Sequence, residues 1–372
     1  MNMAVEPSSQ THDVGSLTGM PQLPDIAATN NPDVEHAVAA LLSRTSTPRK
    51  ALGRVEQLAA QLARIQFPRG TPFGDLEFEA PQAVVFAADH GVADEGVAEL
   101  QQSATLSAVL DLLTGKGHAN RLATLQGFEL SVVDAGVSTH VKLPDDAIAL
   151  APLQLRKIGY GTRNVLMRPA MSAAQAASAL EAGMDVARHL PGNVLSISGL
   201  GVASEASAAM LLSRLCGVPL ADAVGHDPDL DDIRNKARVE KLFTAMTRHR
   251  KAITPLDALA ALGGFEIAMM TGAMLQAASE RRVVIVDGYS AGAAALVART
   301  LSPNVSDYLI HAHRSQDPGH RLLLIHMQTQ PLLDLDMKTG EMVGGLLAWP
   351  LMLAAQALLR AKDQTLPEVE LP

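Results

Sequence analysis

Four short apolar runs along the chain each end at small or acidic residues that are followed by glycine. They are Ala83–Ala87 before Asp89-His90-Gly91, Leu130–Val133 before Asp134-Ala135-Gly136, Val194–Ile197 before Ser198-Gly199, and Val283–Val286 before Asp287-Gly288. Segments with helical spacing of apolar residues lie between these runs. Continuous apolar runs that alternate with helices are typical of buried parallel strands joined by crossover helices. The pattern therefore predicts an α/β fold with a parallel sheet flanked by helices.

Apolar residues at helical spacing predict the following helices: Asp33–Leu42, Leu52–Ile65, Ser103–Thr124, Ser172–His189, Ala203–Leu215, Leu256–Ser279 and Ser290–Thr300. A further apolar run, Leu346–Leu359, is shorter than the roughly 20 residues that a bilayer requires, so a buried helix is expected. The run Leu322–Ile325 is interpreted as a buried strand. Residues 1–30 are polar and rich in proline, and are expected to be loosely ordered.

Composition excludes several classes of function. The 372 residues are 48% hydrophobic, which is enough for a sizeable core. A net charge of −9 with scattered Lys and Arg argues against nucleic acid or an anionic membrane as the main partner. The single Cys216 excludes an internal disulfide and fits a reducing compartment, and its apolar surroundings predict a small buried hydrophobe. The N-terminus shows no export signal, so a cytoplasmic protein is expected.

The residues after the strands are the first candidates for a site, because ligands of open parallel sheets bind beyond the carboxyl ends of the strands. The turn Ser198–Ser204 contains two glycines between a strand and a helix, so its backbone N–H groups could hold a phosphate. Ser204 stands where a dinucleotide fingerprint has its third glycine, so a single phosphate is favoured over NAD. A tight strand–helix turn without a ligand fits the same residues.

Glu341 lies between Gly340 and the pair Gly344-Gly345, on backbone that can bend sharply and let a ligand approach. Two interpretations fit it: a catalytic acid or base, or a solvated residue near a helix N-terminus, where negative charge is favoured.

Histidines near other strand ends are candidates for metal or acid–base chemistry. Asp89-His90-Gly91 follows the first strand, and four more histidines, His311, His313, His320 and His326, cluster later in the chain. Their spacing matches no closed ligand set. Structural, hydrogen-bonded histidines are therefore expected, and no metal.

Several segments, in order along the chain, carry a family resemblance: Pro48–Gln66, Val85–Ala98, Val132–Val137, Lys157–Asn164, Pro169–Met171, Leu262–Leu275, Val283–Ala298, Asp307–His320 and Pro331–Glu341. On these motifs the chain resembles the nicotinate-nucleotide:dimethylbenzimidazole phosphoribosyltransferases. The resemblance covers most of the chain. It implies transfer of the phosphoribosyl group of nicotinate mononucleotide to dimethylbenzimidazole or a related base, for cobalamin assembly.

The resemblance also implies an architecture. It implies a Rossmann-like parallel sheet in a large domain, residues 76–330, and a smaller helical domain made from residues 31–75 and the C-terminal segment 331–362. Residues 1–30 and 363–372 are then tails. A cytoplasmic homodimer without metal or other cofactor is implied as well.

By resemblance, Glu341 is the general base. The nucleotide or its phosphate is expected at Gly199, Gly201, Ser204, Asp287 and Gly288. The base, or the cleft around it, is expected at Asp89, His90, Gly91, Leu100 and Ser107.

The chain departs from the family pattern at its ligand motifs. Asp227 and Asp229 replace glycines beside the expected phosphate, where negative charge opposes an anion. Ile197, Val202-Ala203 and Met342-Val343 also replace family residues. A homologue that is not catalytic, or that binds another nucleotide, base or partner, is therefore the alternative. If the glycine turn does not hold the phosphate, Lys157, Arg163, Lys236 or Arg238 are the next candidates.

Overall fold

The computed structural model describes residues 21–43, 51–145, 147–228, 230–338 and 340–360. Its centre is a sheet of six parallel strands in the order β3-β2-β1-β4-β5-β6. The strands are β1 Gln82–Ala88, β2 Glu129–Gly136, β3 Leu153–Leu155, β4 Val194–Leu200, β5 Val283–Asp287 and β6 Leu309–His311. The order reverses between β1 and β4, which creates a topological switch point of the Rossmann type.

The helices are α1 Pro32–Leu42, α2 Arg54–Gln66, α3 Ser103–Leu113, α4 His118–Gln126, α5 Ala173–His189, α6 Ser204–Cys216, α7 Leu220–Val224, α8 Asp232–Arg248, α9 Pro255–Leu262, α10 Phe265–Ser279, α11 Gly288–Leu301, α12 Pro318–His326 and α13 Val343–Leu358. Strands β7 (His313–Ser315) and β8 (Leu333–Met337) form a second, two-stranded parallel sheet. Short 3₁₀ helices cover Gly91–Glu95 and Pro303–Tyr308.

The parallel α/β fold predicted from the sequence is confirmed, and each of the four predicted strands is a strand of the large sheet. Two predicted helices are each divided in two. Ser103–Thr124 is interrupted at residues 114–117 between α3 and α4, and Leu256–Ser279 at Gly263 and Gly264 between α9 and α10. Glycine disfavours the helix interior, which explains both breaks.

The strand predicted at Leu322–Ile325 is wrong, because these residues lie in helix α12. Leu323 is buried, whereas Ile325 is 59% exposed, as expected for residues on opposite faces of an amphipathic helix. A run of four apolar residues suits a buried strand and a helix equally well. Here Pro318 in the first helical turn begins a helix instead.

The two ends of the described chain meet, since α2 packs against α13. Residues 21–30 are packed rather than loose: Ile26 is buried, and the Thr29 N–H and hydroxyl both donate to Asp307 Oδ2 at 3.0 Å. Residues 1–20 and 363–372, the rest of the expected tails, lie outside the described residues.

Cys216 is half-buried at the end of α6, and burial raises the pKa of its thiol. Within the described ranges, no helix combines the length and hydropathy needed to span a membrane.

Candidate active site

A cavity of about 540 Å³ lies at the carboxyl ends of β4 and β5, beside the switch point. Its walls come from α3 and the segment before it, from the turns after β4 and β5, from α8 and the segment before it, and from the segments before α12 and α13. Its lining residues include Leu100, Gly199, Gly201, Glu205, Asp227, Arg238, Asp287, Gly288, Asp317, Lys338 and Glu341. This is the site that the turns at the strand ends predicted.

Glu341 borders this cavity and is half-buried. Burial raises the pKa of its carboxyl above the ordinary value of 4.5; nearby His118 opposes this shift, and Asp111 adds to it. A carboxylate with a raised pKa at the edge of a cleft is suited to accept a proton near neutral pH. Glu341 also lies in the turn directly before α13, as the alternative interpretation expected, but it is half-buried there.

The backbone of Glu341 is unusual. Its φ angle is 49° and that of the following Met342 is 73°, so two consecutive non-glycine residues have the left-handed conformation. Such strain, of order 1–3 kcal/mol per residue, persists only where the surrounding structure holds it, and it is concentrated at functional sites.

The pair Gly344-Gly345 serves packing rather than ligand approach. A Cβ atom added at Gly344 would lie 2.0 Å from His313 Nδ1 and 2.5 Å from Asp287 Oδ1. Because the side chain is absent, α13 can begin directly on the end of β5, where the Gly345 N–H donates to Asp287 Oδ1 at 2.9 Å. The expectation that these glycines admit a ligand is therefore corrected: they bring the helix, and Glu341 just before it, to the strand end.

The end of β4 borders the cavity through Gly199, and the turn after it through Gly201. A Cβ at Gly201 would lie 2.1 Å from the carbonyl oxygen of Ala88, so this glycine allows β4 and β1 to approach each other. Ser204 is buried, and its hydroxyl donates to Glu266 Oε1 at 2.8 Å. Of the expected phosphate residues, Asp287 and Gly288 line the cavity with Gly199 and Gly201, whereas Ser204 is bonded within the fold.

Asp89 and His90 are buried, and neither they nor the half-buried Gly91 are among the residues that line the cavity. His90 Nε2 lies 2.8 Å from Glu266 Oε1, and its Nδ1 lies 3.0 Å from Ser207 Oγ. Burial lowers the pKa of His90, but the charge and hydrogen bond of Glu266, with nearby carboxylates, outweigh burial and raise it overall. His90 is thus placed as a structural histidine.

Of the other residues expected around the base, Leu100 lines the cavity, whereas Asp89, Gly91 and Ser107 make contacts within the fold. Asp89 Oδ2 accepts a hydrogen bond from the Ser138 N–H at 2.7 Å, and Gly91 fits against the backbone of residues 162–164. Leu100 lines the cavity and is 62% exposed. Ser107 is exposed on α3, where its hydroxyl donates to the Ser103 carbonyl and its neighbour Ala108 lines the cavity instead.

Two cations face the cavity around Asp227. Arg238 Nη1 lies 3.4 Å from Asp227 Oδ2, and Lys338 Nζ lies 3.7 Å from Asp227 Oδ1. The expected repulsion of a phosphate by Asp227 is therefore offset by two positive charges. Asp229 lies outside the described residues.

Of the four alternative phosphate residues proposed from the sequence, Arg238 is the one that lines the cavity. Lys157 pairs with Asp134 at 2.9 Å, Arg163 donates to the Pro169 carbonyl, and Lys236 lies in a different surface hollow. Lys338 was not among the residues predicted from the sequence, although it lies only three residues before Glu341.

Two acidic groups in the cavity were also missed. Glu205 lies in the first turn of α6, directly after Ser204. Its side chain reaches solvent through the cavity, but the surrounding protein restricts its hydration; this and the neighbouring Asp317 raise the pKa of Glu205 to about 7. Burial also raises the pKa of Asp317, against the opposing effects of Ser315 and Arg238. Both carboxyls therefore change charge closer to neutral pH than ordinary ones.

The later histidines surround the ends of β5 and β7. His311, His313 and His320 are buried, and His326 is exposed at the end of α12. His313 Nδ1 lies 3.1 Å from Asp287 Oδ1. Burial lowers the pKa of His311 to about 4 and that of His320 well below its ordinary value. In the described ranges no group of three or more His, Cys, Asp or Glu side chains is arranged to hold a metal ion.

A family model, relatives in sequence and a solved structure all place this chain in one family. A family model described as "Phosphoribosyltransferase", DBI_PRT, matches residues 27–365. Nicotinate-nucleotide:dimethylbenzimidazole phosphoribosyltransferases from Variovorax paradoxus and Cupriavidus taiwanensis are 40% and 44% identical over 338 and 342 residues, which is 91% of this chain and 94% of each relative. The crystal structure of CobT from Thermus thermophilus matches with a TM-score of 0.80 and 32% identity over 88% of this chain and 96% of that chain. The chain therefore belongs to the nicotinate-nucleotide:dimethylbenzimidazole phosphoribosyltransferase family.

Proposed function

We propose that this protein transfers the phosphoribosyl group of nicotinate mononucleotide to dimethylbenzimidazole or a related base, giving α-ribazole 5′-phosphate and nicotinate for cobalamin assembly. The names of the relatives support the reaction. The observation that carries the proposal is the position of Glu341, a half-buried carboxylate with a raised pKa at the edge of the cavity.

The chemistry requires one proton acceptor. One ring nitrogen of the base attacks C1′ of the ribose while the bond from C1′ to the nicotinate nitrogen breaks, with inversion from β to α. The other ring nitrogen must lose its proton, and Glu341 takes it. A positioned general base contributes typically about 10²–10⁴-fold to the rate.

The donor phosphate is placed at Arg238 and Lys338, because charge-assisted hydrogen bonds from cations to phosphate are roughly twice as strong as neutral ones. Gly199, Gly201 and Gly288 border the same cavity and leave room for the ribose phosphate. In this arrangement Ser204 supports the turn through Glu266 instead of binding the phosphate itself.

The acceptor base is placed against the apolar wall formed by Val97, Ala98, Leu100, Ala104 and Ala108. Leu100 is a large apolar side chain that is mostly exposed. A flat aromatic base that covered it would gain about 25 cal/mol per Å² of apolar surface removed from water. His90 and Asp89 act one layer below, by holding the strand ends in place.

We also propose that the protein is a cytoplasmic homodimer, as the family resemblance implies. Sedimentation of the purified protein tests the dimer: a mass equal to one chain at micromolar concentration would contradict it.

The reaction is tested with purified protein, nicotinate mononucleotide and dimethylbenzimidazole, by following nicotinate and the α-riboside by chromatography. The expected result is equal release of both products. Circular dichroism serves as the control for folding. If the folded protein releases no nicotinate with dimethylbenzimidazole or with related benzimidazoles, the proposed function is refuted.

A further inference from the structure

The conformation of the segment that carries Glu341 depends on contacts outside that segment. Glu341 and Met342 both have left-handed backbone angles, which side chains other than glycine rarely adopt. The Met342 side chain is fully buried, so this turn cannot relax into solvent. A neighbouring group has to hold it.

Ser198, at the end of β4, is in contact with this turn. Its side chain is fully buried, and its hydroxyl oxygen accepts a hydrogen bond from the Met342 N–H at 3.1 Å. A Cβ added at Gly340 would lie 3.8 Å from the same oxygen, so the hydroxyl is adjacent to both sides of Glu341. A second bond, from the Gly345 N–H to Asp287 Oδ1, attaches the following helical turn to β5.

We propose that Ser198 is a positioning residue that acts through Glu341: its hydroxyl holds the Met342 amide and thereby keeps the Glu341 carboxylate over the cavity. This inference rests on the proposed role of Glu341 as base. Without the hydroxyl, the buried Met342 N–H loses its acceptor and the left-handed turn loses a restraint. The carboxylate then moves from its productive position, while the binding surfaces for donor and acceptor remain.

The test compares Ser198→Ala with Ser196→Ala. Ser196 lies two residues earlier on the same strand and is equally buried, but its hydroxyl has no hydrogen-bond partner in the described part of the protein. We expect Ser198→Ala to lower kcat by about tenfold to 10²-fold, with KM for both substrates changed by no more than about twofold, because small misplacements of a catalytic group cost this much. Ser196→Ala should keep kcat within about twofold of the unmodified protein. An unchanged kcat in Ser198→Ala, or equal losses in both variants, would overturn the proposal.

A double mutant shows whether Ser198 acts through Glu341. Ser198→Ala introduced into Glu341→Gln should cause no further loss of kcat, because there is no carboxylate left to position. A further loss equal to that in the single variant would show that Ser198 acts independently, and would overturn the inference. The two proposals fail differently. If Glu341→Gln alone keeps full activity, the general base is wrong; if it is slow while Ser198→Ala is fast, only the positioning role is wrong.

Discussion

Replacing Glu341 by Gln tests the central step, because it removes the proton acceptor and preserves the size of the side chain. Loss of a general base lowers the rate by typically about 10²–10⁴-fold. At 1.36 kcal/mol per tenfold change, this corresponds to a barrier higher by about 3–5 kcal/mol. KM for nicotinate mononucleotide should change little, because the proposed phosphate residues, Arg238 and Lys338, are unaltered.

The pH dependence has a defined sign. The base works when it is deprotonated, and burial raises the pKa of Glu341 above 4.5. In the unmodified protein, kcat should therefore rise with pH through that raised pKa. Glu341→Gln should lose this rise, and its residual activity should be flat over the same range.

Glu341→Gln should lower activity but should not lower the stability of the fold. The folded state binds the Glu341 proton more tightly than the unfolded state does, so ionisation of Glu341 destabilises the fold as pH rises above the unfolded pKa. Glu341→Gln removes this cost, and its Tm at about pH 8 should equal or exceed that of the unmodified protein.

The assay combines chromatographic measurement of nicotinate release with thermal unfolding at the same pH. A kcat for Glu341→Gln within about tenfold of the unmodified value would refute the role of Glu341 as base. A large loss of kcat accompanied by a lower Tm would refute the reasoning about its buried charge.

Three further predictions concern the surroundings of Glu341. Arg238→Gln should raise KM for nicotinate mononucleotide by about tenfold to 10²-fold in steady-state assays, because a charge-assisted hydrogen bond to the phosphate is lost. Lys236 lies two residues earlier and is exposed, so Lys236→Gln should leave this KM unchanged. Equal effects of the two substitutions would contradict the proposed position of the phosphate. Glu205 becomes anionic as pH rises through about 7, and a negative charge repels the donor phosphate, so KM for nicotinate mononucleotide should increase between about pH 6 and about pH 8. If KM depends on pH in the same way in Glu205→Gln, this residue is not the source of the dependence. His90→Ala should lower the free energy of unfolding in urea by about 3–5 kcal/mol, because it leaves the buried Glu266 with the Ser204 hydroxyl but without its ion-pair partner. The replacement of the exposed His140 by Ala should change this free energy by less than about 0.5 kcal/mol. Similar losses in both variants would argue against the buried network of His90 and Glu266.

The strands that the sequence predicted share a property that the missed strands lack. Each predicted strand contains a run of at least four residues that are apolar except for at most one serine, as in Val283–Val286 and Val194–Ile197. The missed strands of the large sheet, β3 and β6, have only three residues each, and such short runs cannot be separated from turns by pattern alone. Their existence depends on pairing with β2 and β5, which is a tertiary effect. Strands β7 and β8 of the small sheet were also missed.

The same division applies to the site. The motif around Glu341 indicated a general base by resemblance, and the glycines at the ends of β4 and β5 indicated the end of the sheet where the cavity lies. Which polar residues face the cavity depended on side-chain direction. Ser204 and Ser107 are close in sequence to lining residues but point elsewhere, and a rotation of about 100° per residue along a helix is enough to cause this.

By itself, the sequence determined the parallel α/β fold and the family, because periodic apolar runs and contiguous motifs are local properties that survive without coordinates. The tertiary structure decided which charges meet. Arg238 and Lys338 are 100 residues apart in sequence, and only the fold brings both to Asp227, where they offset its negative charge. Coulomb interactions depend on distance in space rather than along the chain, so the electrostatics of this cavity could not be obtained from the order of the residues alone.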